Sequence, residues 1–179
     1  DAFTKQFAQA FANQRVGDPF DPETTIGPMA SVAAADHVQL QLQDALDKGA
    51  TVIVPGGRMP GPGAYFAPAA ITDITPAMRV STEEVFGPLA LIYRVPDADA
   101  AVALANSSPY GLGGTVFGED VEEARRVARR LDTGGVGINA YLGAPVEIPF
   151  GGTKASGTGR ELGRSGMDQF ANIKTYGIG

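Results

Sequence analysis

Cysteine is absent from all 179 residues, so no disulfide, thiolate metal site or thiol nucleophile can come from this chain. Histidine occurs once, at position 37. That excludes multi-histidine metal motifs and most histidine-centred relays. No apolar run approaches the ~20 residues of a membrane-spanning helix, and no signal-peptide pattern opens the chain. Cations are the minority charge: 14 Lys and Arg against 20 Asp and Glu give a net charge of −6, whereas phosphate-backbone binding needs a basic face. The expectation is a soluble, cytoplasmic protein with neither nucleic acid nor a membrane as partner.

What is present suits a folded domain. Hydrophobic residues make up 44% and charged residues 19%, enough to build a core without wholesale disorder. The length is one domain's worth. Glycine (24) and proline (13) mark a turn-rich chain. The first residue is Asp rather than Met, and residues 1–12 already read as helix, so the chain is expected to begin inside a structure.

Phe3, Phe7 and Phe11 fall on one helical face, and the helix should stop before Gly17-Asp18-Pro19. A second helix after Ser31 carries Val38, Leu42, Ala45 and Leu46, with Gly49 placed as a C-cap. Thr51 to Val54 reads as a short buried strand, and Gly56 to Gly63 as a loop or hairpin tip. Residues 66–74 read as extended, with Pro68 favouring an edge or irregular position. Leu89 to Tyr93 is the central-strand candidate. Asp97 caps an Ala-rich helix to about Ala105, and Thr115 to Phe117 is a strand. Asp120 with Glu123 opens a helix in the manner of a capping box; Ala124, Val127, Ala128 and Leu131 continue it, Gly134-Gly135 is expected to end it, and Val136 to Asn139 is a strand. This rhythm predicts an α/β layered domain with a mostly parallel sheet and flanking helices. From residue 140 the periodicity lapses into a glycine-rich loop, the kind that is functional or packs on another surface.

Several positions could carry chemistry. Gly157, Gly159 and Gly163 approach a dinucleotide fingerprint, but the last spacing is one residue too long and no strand precedes it; glycines of a tight loop are the plainer account. Glu83 and Glu84 are adjacent like charges, so one should face solvent while the other points at something polar. One of them could accept hydrogen bonds from ribose hydroxyls, with Phe86 lining a neighbouring pocket. His37 beside Asp36 is a possible general base, though a lone helical histidine is more simply surface. Asn139 ends a strand, where α/β sites gather, and could orient a loop or a substrate oxygen.

Five blocks, GDPFDPETTIGPM (17–29), EEVFGPLA (83–90), ANSSPYGLGGTVF (105–117), GGVGIN (134–139) and PFGGTKASGTGRELG (149–163), resemble the aldehyde dehydrogenase superfamily in that family's order. The resemblance implies NAD(P)-dependent oxidation of an aldehyde to a carboxylic acid through a cysteine thiohemiacetal, with a glutamate activating water. It implies that this chain is the C-terminal portion of such an enzyme: a partial catalytic domain over residues 1–173, and over 174–179 the start of a strand that joins a neighbouring subunit. The cysteine, the general-base glutamate and the glycine-rich nucleotide turn would lie upstream, so no catalytic residue is assigned here. The isolated chain is expected to be inactive.

By the same resemblance Glu84 holds the nicotinamide-side ribose and Phe86 contacts the nicotinamide region, forming half of an NAD or NADP site. Asn139, Tyr141, Leu142, Ala144 and Phe150 would line the substrate tunnel. His37 lies on a helix near the cofactor, while Lys154, Arg160 and Glu161 are structural. Implied partners are an aldehyde substrate, the missing N-terminal region and, in the full-length protein, further copies of the same subunit. Family members that bind a substrate carboxylate often carry a serine in the loop after Asn139. Ala144 and Pro145 stand here, an expectation against succinate semialdehyde and toward a bulkier aldehyde. Two other readings compete: a non-catalytic binding or assembly module of the same fold, and a stand-alone enzyme using His37 and Asp36.

Overall fold

The computed structural model describes residues 2–143 and 145–179, which form two compact units, 2–94 and 95–179. The first opens with α1 (Ala2–Ala12), whose Phe3, Phe7 and Phe11 stack with ring centroids 5.9 and 5.1 Å apart. Next comes α2 (Val32–Asp47). The Ser31 side chain accepts from the Ala34 amide at 3.0 Å, satisfying one of the free first-turn donors. At the other end Gly49 has φ +96°; its amide donates to Leu46 and that of Ala50 to Ala45. This paired closure needs a left-handed residue, which glycine supplies without strain.

Four short strands follow: β1 (Thr51–Val54), β2 (Gly57–Arg58), β3 (Phe66–Ala67) and β4 (Ala69–Thr72). A single 3₁₀ turn (Arg79–Ser81) precedes β5 (Leu89–Leu91). β2 and β3 form the hairpin, and β1, β4 and β5 form a sheet in that order. β1 runs antiparallel to β4, with Val52 opposite Ile71; β5 runs parallel to it, with Leu91 opposite Ile71.

The sequence placed the central strand at 89–93; in the sheet β5 is an outer strand and β4 the middle one, while Pro68, expected at an edge or irregular position, falls in the irregular step between β3 and β4. Pro68 lies just before β4, and the first ladder donor is the Ala69 amide, bonded to the Pro88 carbonyl at 2.9 Å. A proline at that point costs the sheet nothing. β1 is half exposed rather than buried, with Val52 on its outer side. The core joins Val38, Leu42 and Ala45 of α2 to Phe66, Ala69, Ile71, Met78, Val80 and Leu89. Full burial of a residue such as Ile71 contributes about 2–3 kcal/mol of transfer free energy.

The second unit contains α3 (Ala98–Asn106), β6 (Tyr110–Gly111), β7 (Gly114–Val116), α4 (Val121–Ala128), β8 (Val136–Ile138), β9 (Thr153–Lys154) and α5 (Gly163–Asp168). Asp97 caps α3 and Asp120 caps α4. The Asp120 carboxylate accepts from the Glu122 and Glu123 amides, while Glu123 reaches forward to Arg126 instead of back to the cap. β7 and β8 are parallel, so α4 is their crossover helix, with Ala124 and Ala128 buried.

The α/β class stands, but pairing is mixed: β4–β5 and β7–β8 are parallel, and the other three ladders antiparallel. Strands of two to four residues are too short to show in sequence which neighbour they meet.

Glycines 157, 159 and 163 all have positive φ and serve the turn. At Gly134 the main chain touches the carbonyl of Gly151 so closely that a Cβ there would overlap it. Residues 170–179 are exposed, and 172–179 carry no regular secondary structure.

Candidate functional site

In the first unit the EEVFGP segment is built on one row of α2. His37, Gln41, Asp44 and Lys48 recur at helical spacing and face the chain from Ala77 to Glu84. Arg79 grips Glu83 with two parallel bonds, Nε to Oε1 at 2.8 Å and Nη2 to Oε2 at 2.9 Å. Asp44 accepts the Arg79 amide at 2.8 Å, and Lys48 meets both Asp44 (2.6 Å) and the Ala77 carbonyl (2.7 Å). Gln41 is fully buried, and its Nε2 donates to Glu83 Oε2 and to the Glu84 carbonyl, each at 3.1 Å. His37 Nε2 lies 3.9 Å from Glu83 Oε2.

These contacts divide the glutamate pair as like-charge repulsion requires. The Arg79 guanidinium, and after it the Gln41 amide, hold the Glu83 carboxyl below the ordinary glutamate range. The Arg79 amide and the Lys48 ammonium do the same for Asp44. The Glu84 side chain is exposed, and its carboxylate has no partner among the described residues. Two residues on, Phe86 is 73% exposed beside an apolar cavity of about 300 Å³ lined by Met29, Ala30, Ala34, Val85 and Gly87. The segment therefore presents a hydrogen-bond-accepting carboxylate and, two residues on, an aromatic face at an apolar cavity. Nothing draws Asp36 and His37 into a catalytic pair: Asp36 bonds Arg58 Nε at 3.2 Å, and the histidine is half exposed.

In the second unit Asn139 has φ +52° and closes the end of the β7–β8 ladder. Its Oδ1 accepts from the Gly118 amide and its Nδ2 donates to the Gly118 carbonyl, both at 2.8 Å. The amide copies a strand's hydrogen-bond pattern, using one of its two N–H donors and one lone pair of its oxygen. Tyr141 meets Phe117 edge-on at 6.2 Å, and Leu142 covers Gly135. Phe150 borders a separate cavity of about 410 Å³, whose walls include Leu112, Arg160, Glu161 and Phe170. Ala144 lies outside the described residues.

The polar residues of the glycine-rich block are committed internally. Lys154 Nζ donates to the carbonyls of Asn106 and Ser108, closing α3, and sits 3.3 Å from Asp132. Arg160 donates to the carbonyls of Gly152 and Gly159.

Gln41 was not singled out in the sequence, although its phase identifies it. Positions 38, 41, 42 and 45 are one helical face, and three of the four are core residues.

The aldehyde dehydrogenase family profile matches residues 1–176. A succinate-semialdehyde dehydrogenase (NADP+) of Deinococcus radiodurans is 53% identical over 174 residues, covering 97% of this chain and 36% of that protein. A succinate semialdehyde dehydrogenase (NAD(P)+) of Escherichia coli is 42% identical, covering 97% and 38%. Among solved structures, a succinic semialdehyde dehydrogenase from Streptococcus pyogenes in complex with NADP+ superposes with a TM-score of 0.92 at 40% identity, covering 96% of this chain and 38% of that one. A betaine aldehyde dehydrogenase from Staphylococcus aureus with NAD+ gives 0.88 at 35%, covering 95% and 35%. The chain thus spans a little over a third of the length of the relatives it matches. Three of these four relatives are named for succinate semialdehyde, the aldehyde from which the loop-based expectation turned away, and the fourth for betaine aldehyde. One missing hydroxyl in one loop is weak evidence, because cations for a substrate carboxylate can come from anywhere around a pocket.

Proposed function

The chain belongs to the aldehyde dehydrogenase family, and on that premise we propose that it supplies cofactor-holding and substrate-lining residues to an enzyme that oxidises an aldehyde to a carboxylic acid. The observation that carries the reading is the exposed Glu84 carboxylate, without a partner among the described residues, two residues from the exposed Phe86 ring at an apolar cavity. Glu84 accepts hydrogen bonds from the two ribose hydroxyls, and Phe86 lies against the nicotinamide end of NADP or NAD. The cofactor, when bound, accepts a hydride from the substrate. Tyr141, Leu142 and Phe150 line the aldehyde's path, and Asn139 holds the start of that loop to Gly118. With no cysteine in the chain, the nucleophilic thiol comes from outside these 179 residues, and so does the general base. The relatives favour a short aldehyde with a terminal carboxylate. Residues 174–179 add a strand to a second copy.

Steady-state kinetics of the complete enzyme tests this. Glu84→Gln, which weakens a charge-assisted hydrogen bond, is expected to raise the KM for NADP+ about tenfold. Succinate semialdehyde should exceed butanal of similar length in kcat/KM. An unchanged cofactor KM, or aldehyde turnover by the 179-residue chain alone, would sink the reading.

A further inference from the structure

Gln41 is a buried amide on a core-facing helix position, flanked by Val38, Leu42 and Ala45. Both of its Nε2 hydrogens are used, but its Oε1 has no hydrogen-bond partner. Rotating the amide by half a turn would set Oε1 against a carboxylate and a carbonyl, so the orientation is fixed by its neighbours. A buried, unmet acceptor costs stability. A thioether of the same length would fill the volume without that cost. The amide therefore has to be explained by what it holds.

It holds two consecutive residues, the Glu83 carboxylate and the Glu84 carbonyl. Arg79 grips Glu83 from the other side. The 83–84 segment is thus tied to α2 at two points, while the Glu84 side chain leaves it with no partner among the described residues. We infer that Gln41 is a positioning residue for the cofactor side of the site: by fixing this backbone it pre-aims the Glu84 carboxylate at the ribose. The inference rests on the Glu84 reading above. Affinity is gained because the carboxylate need not be ordered when the cofactor arrives.

The test uses the complete enzyme, with the NADP+ dissociation constant measured by titration calorimetry, the KM for aldehyde, and Tm. Gln41→Met removes both donors at constant length. It is expected to weaken NADP+ binding several-fold and leave the aldehyde KM within about twofold. Gln41→His, which keeps an N–H at similar reach, should recover most of the binding. In the Glu84→Gln background Gln41→Met should add little, because the two act through one contact; a role in general stability would add in full. Should Gln41→Met not fold, Glu83→Ala releases the same segment without touching the α2 core, and the same weakening is expected. If Glu84→Gln weakens binding and neither Gln41→Met nor Glu83→Ala does, the positioning role is overturned while the Glu84 reading stands. If Glu84→Gln changes nothing, both fall.

Discussion

Asn139 shows how a single side chain can stand in for a strand. It occupies the left-handed region, where asparagine is tolerated better than most residues, and both ends of its amide close on Gly118. Asn139→Ala removes two exposed hydrogen bonds and leaves a Cβ at φ +52°. The expected cost is about 1–2 kcal/mol in urea unfolding, and Asn139→Gly should recover the backbone part only. Glu83 gives the second residue-scale expectation. Its folded-state pKa is depressed by Arg79 and then by Gln41. The stability it contributes is therefore complete above the unfolded-state value, about 4.3, and lost as pH falls through the lower folded-state value. The gap in urea midpoint between the wild-type protein and Glu83→Gln should be open at pH 7 and closing at pH 3. A gap that widened on acidification would reverse the sign of this account.

At the scale of the element, the helices were the most legible part of the sequence, because their ends are written in local chemistry. Ser31, Asp97 and Asp120 each accept a first-turn amide. Gly49 is the clearest stop: beyond its own chain neighbours, none of the described residues comes within 4 Å of where its Cβ would be, so Gly49→Ala tests backbone conformation alone. Its expected cost is about 1 kcal/mol, read from Tm or urea midpoint. The strands were legible as extended segments but not as neighbours. Pro68 pointed to an edge or irregular position because proline cannot donate, and it falls between β3 and β4; the sequence could not show that the ladder begins one residue later, at Ala69. Part of the candidate site could be read as well. The division of labour between Glu83 and Glu84 follows from charge repulsion alone, whereas which one is tied down depends on Arg79 and Gln41 arriving from elsewhere in the unit. Gln39, Gln41 and Gln43 are the same residue at alternate positions, and only helical phase separates the buried one from its neighbours.

At the scale of the whole molecule, large apolar side chains stand in solvent: Phe20 (93%), Phe170 (94%), Ile173 (91%) and Ile178 (98%), with Tyr141 and Phe86 also exposed. Apolar surface of this extent seeks cover. The isolated chain should self-associate in sedimentation velocity and bind a dye that reports apolar surface. A dye-silent monomer at micromolar concentration would contradict that expectation. The close approach of Gly134 to Gly151 bears on recombination. Here two passes of polypeptide, seventeen positions apart, lie bare against each other. A chimera crossed over between them inherits one surface from each parent. It keeps the fit only when the donor of 134 also brings a residue with no side chain. A single methyl at 134 would overlap the Gly151 carbonyl, so whichever parent supplies that position must supply glycine.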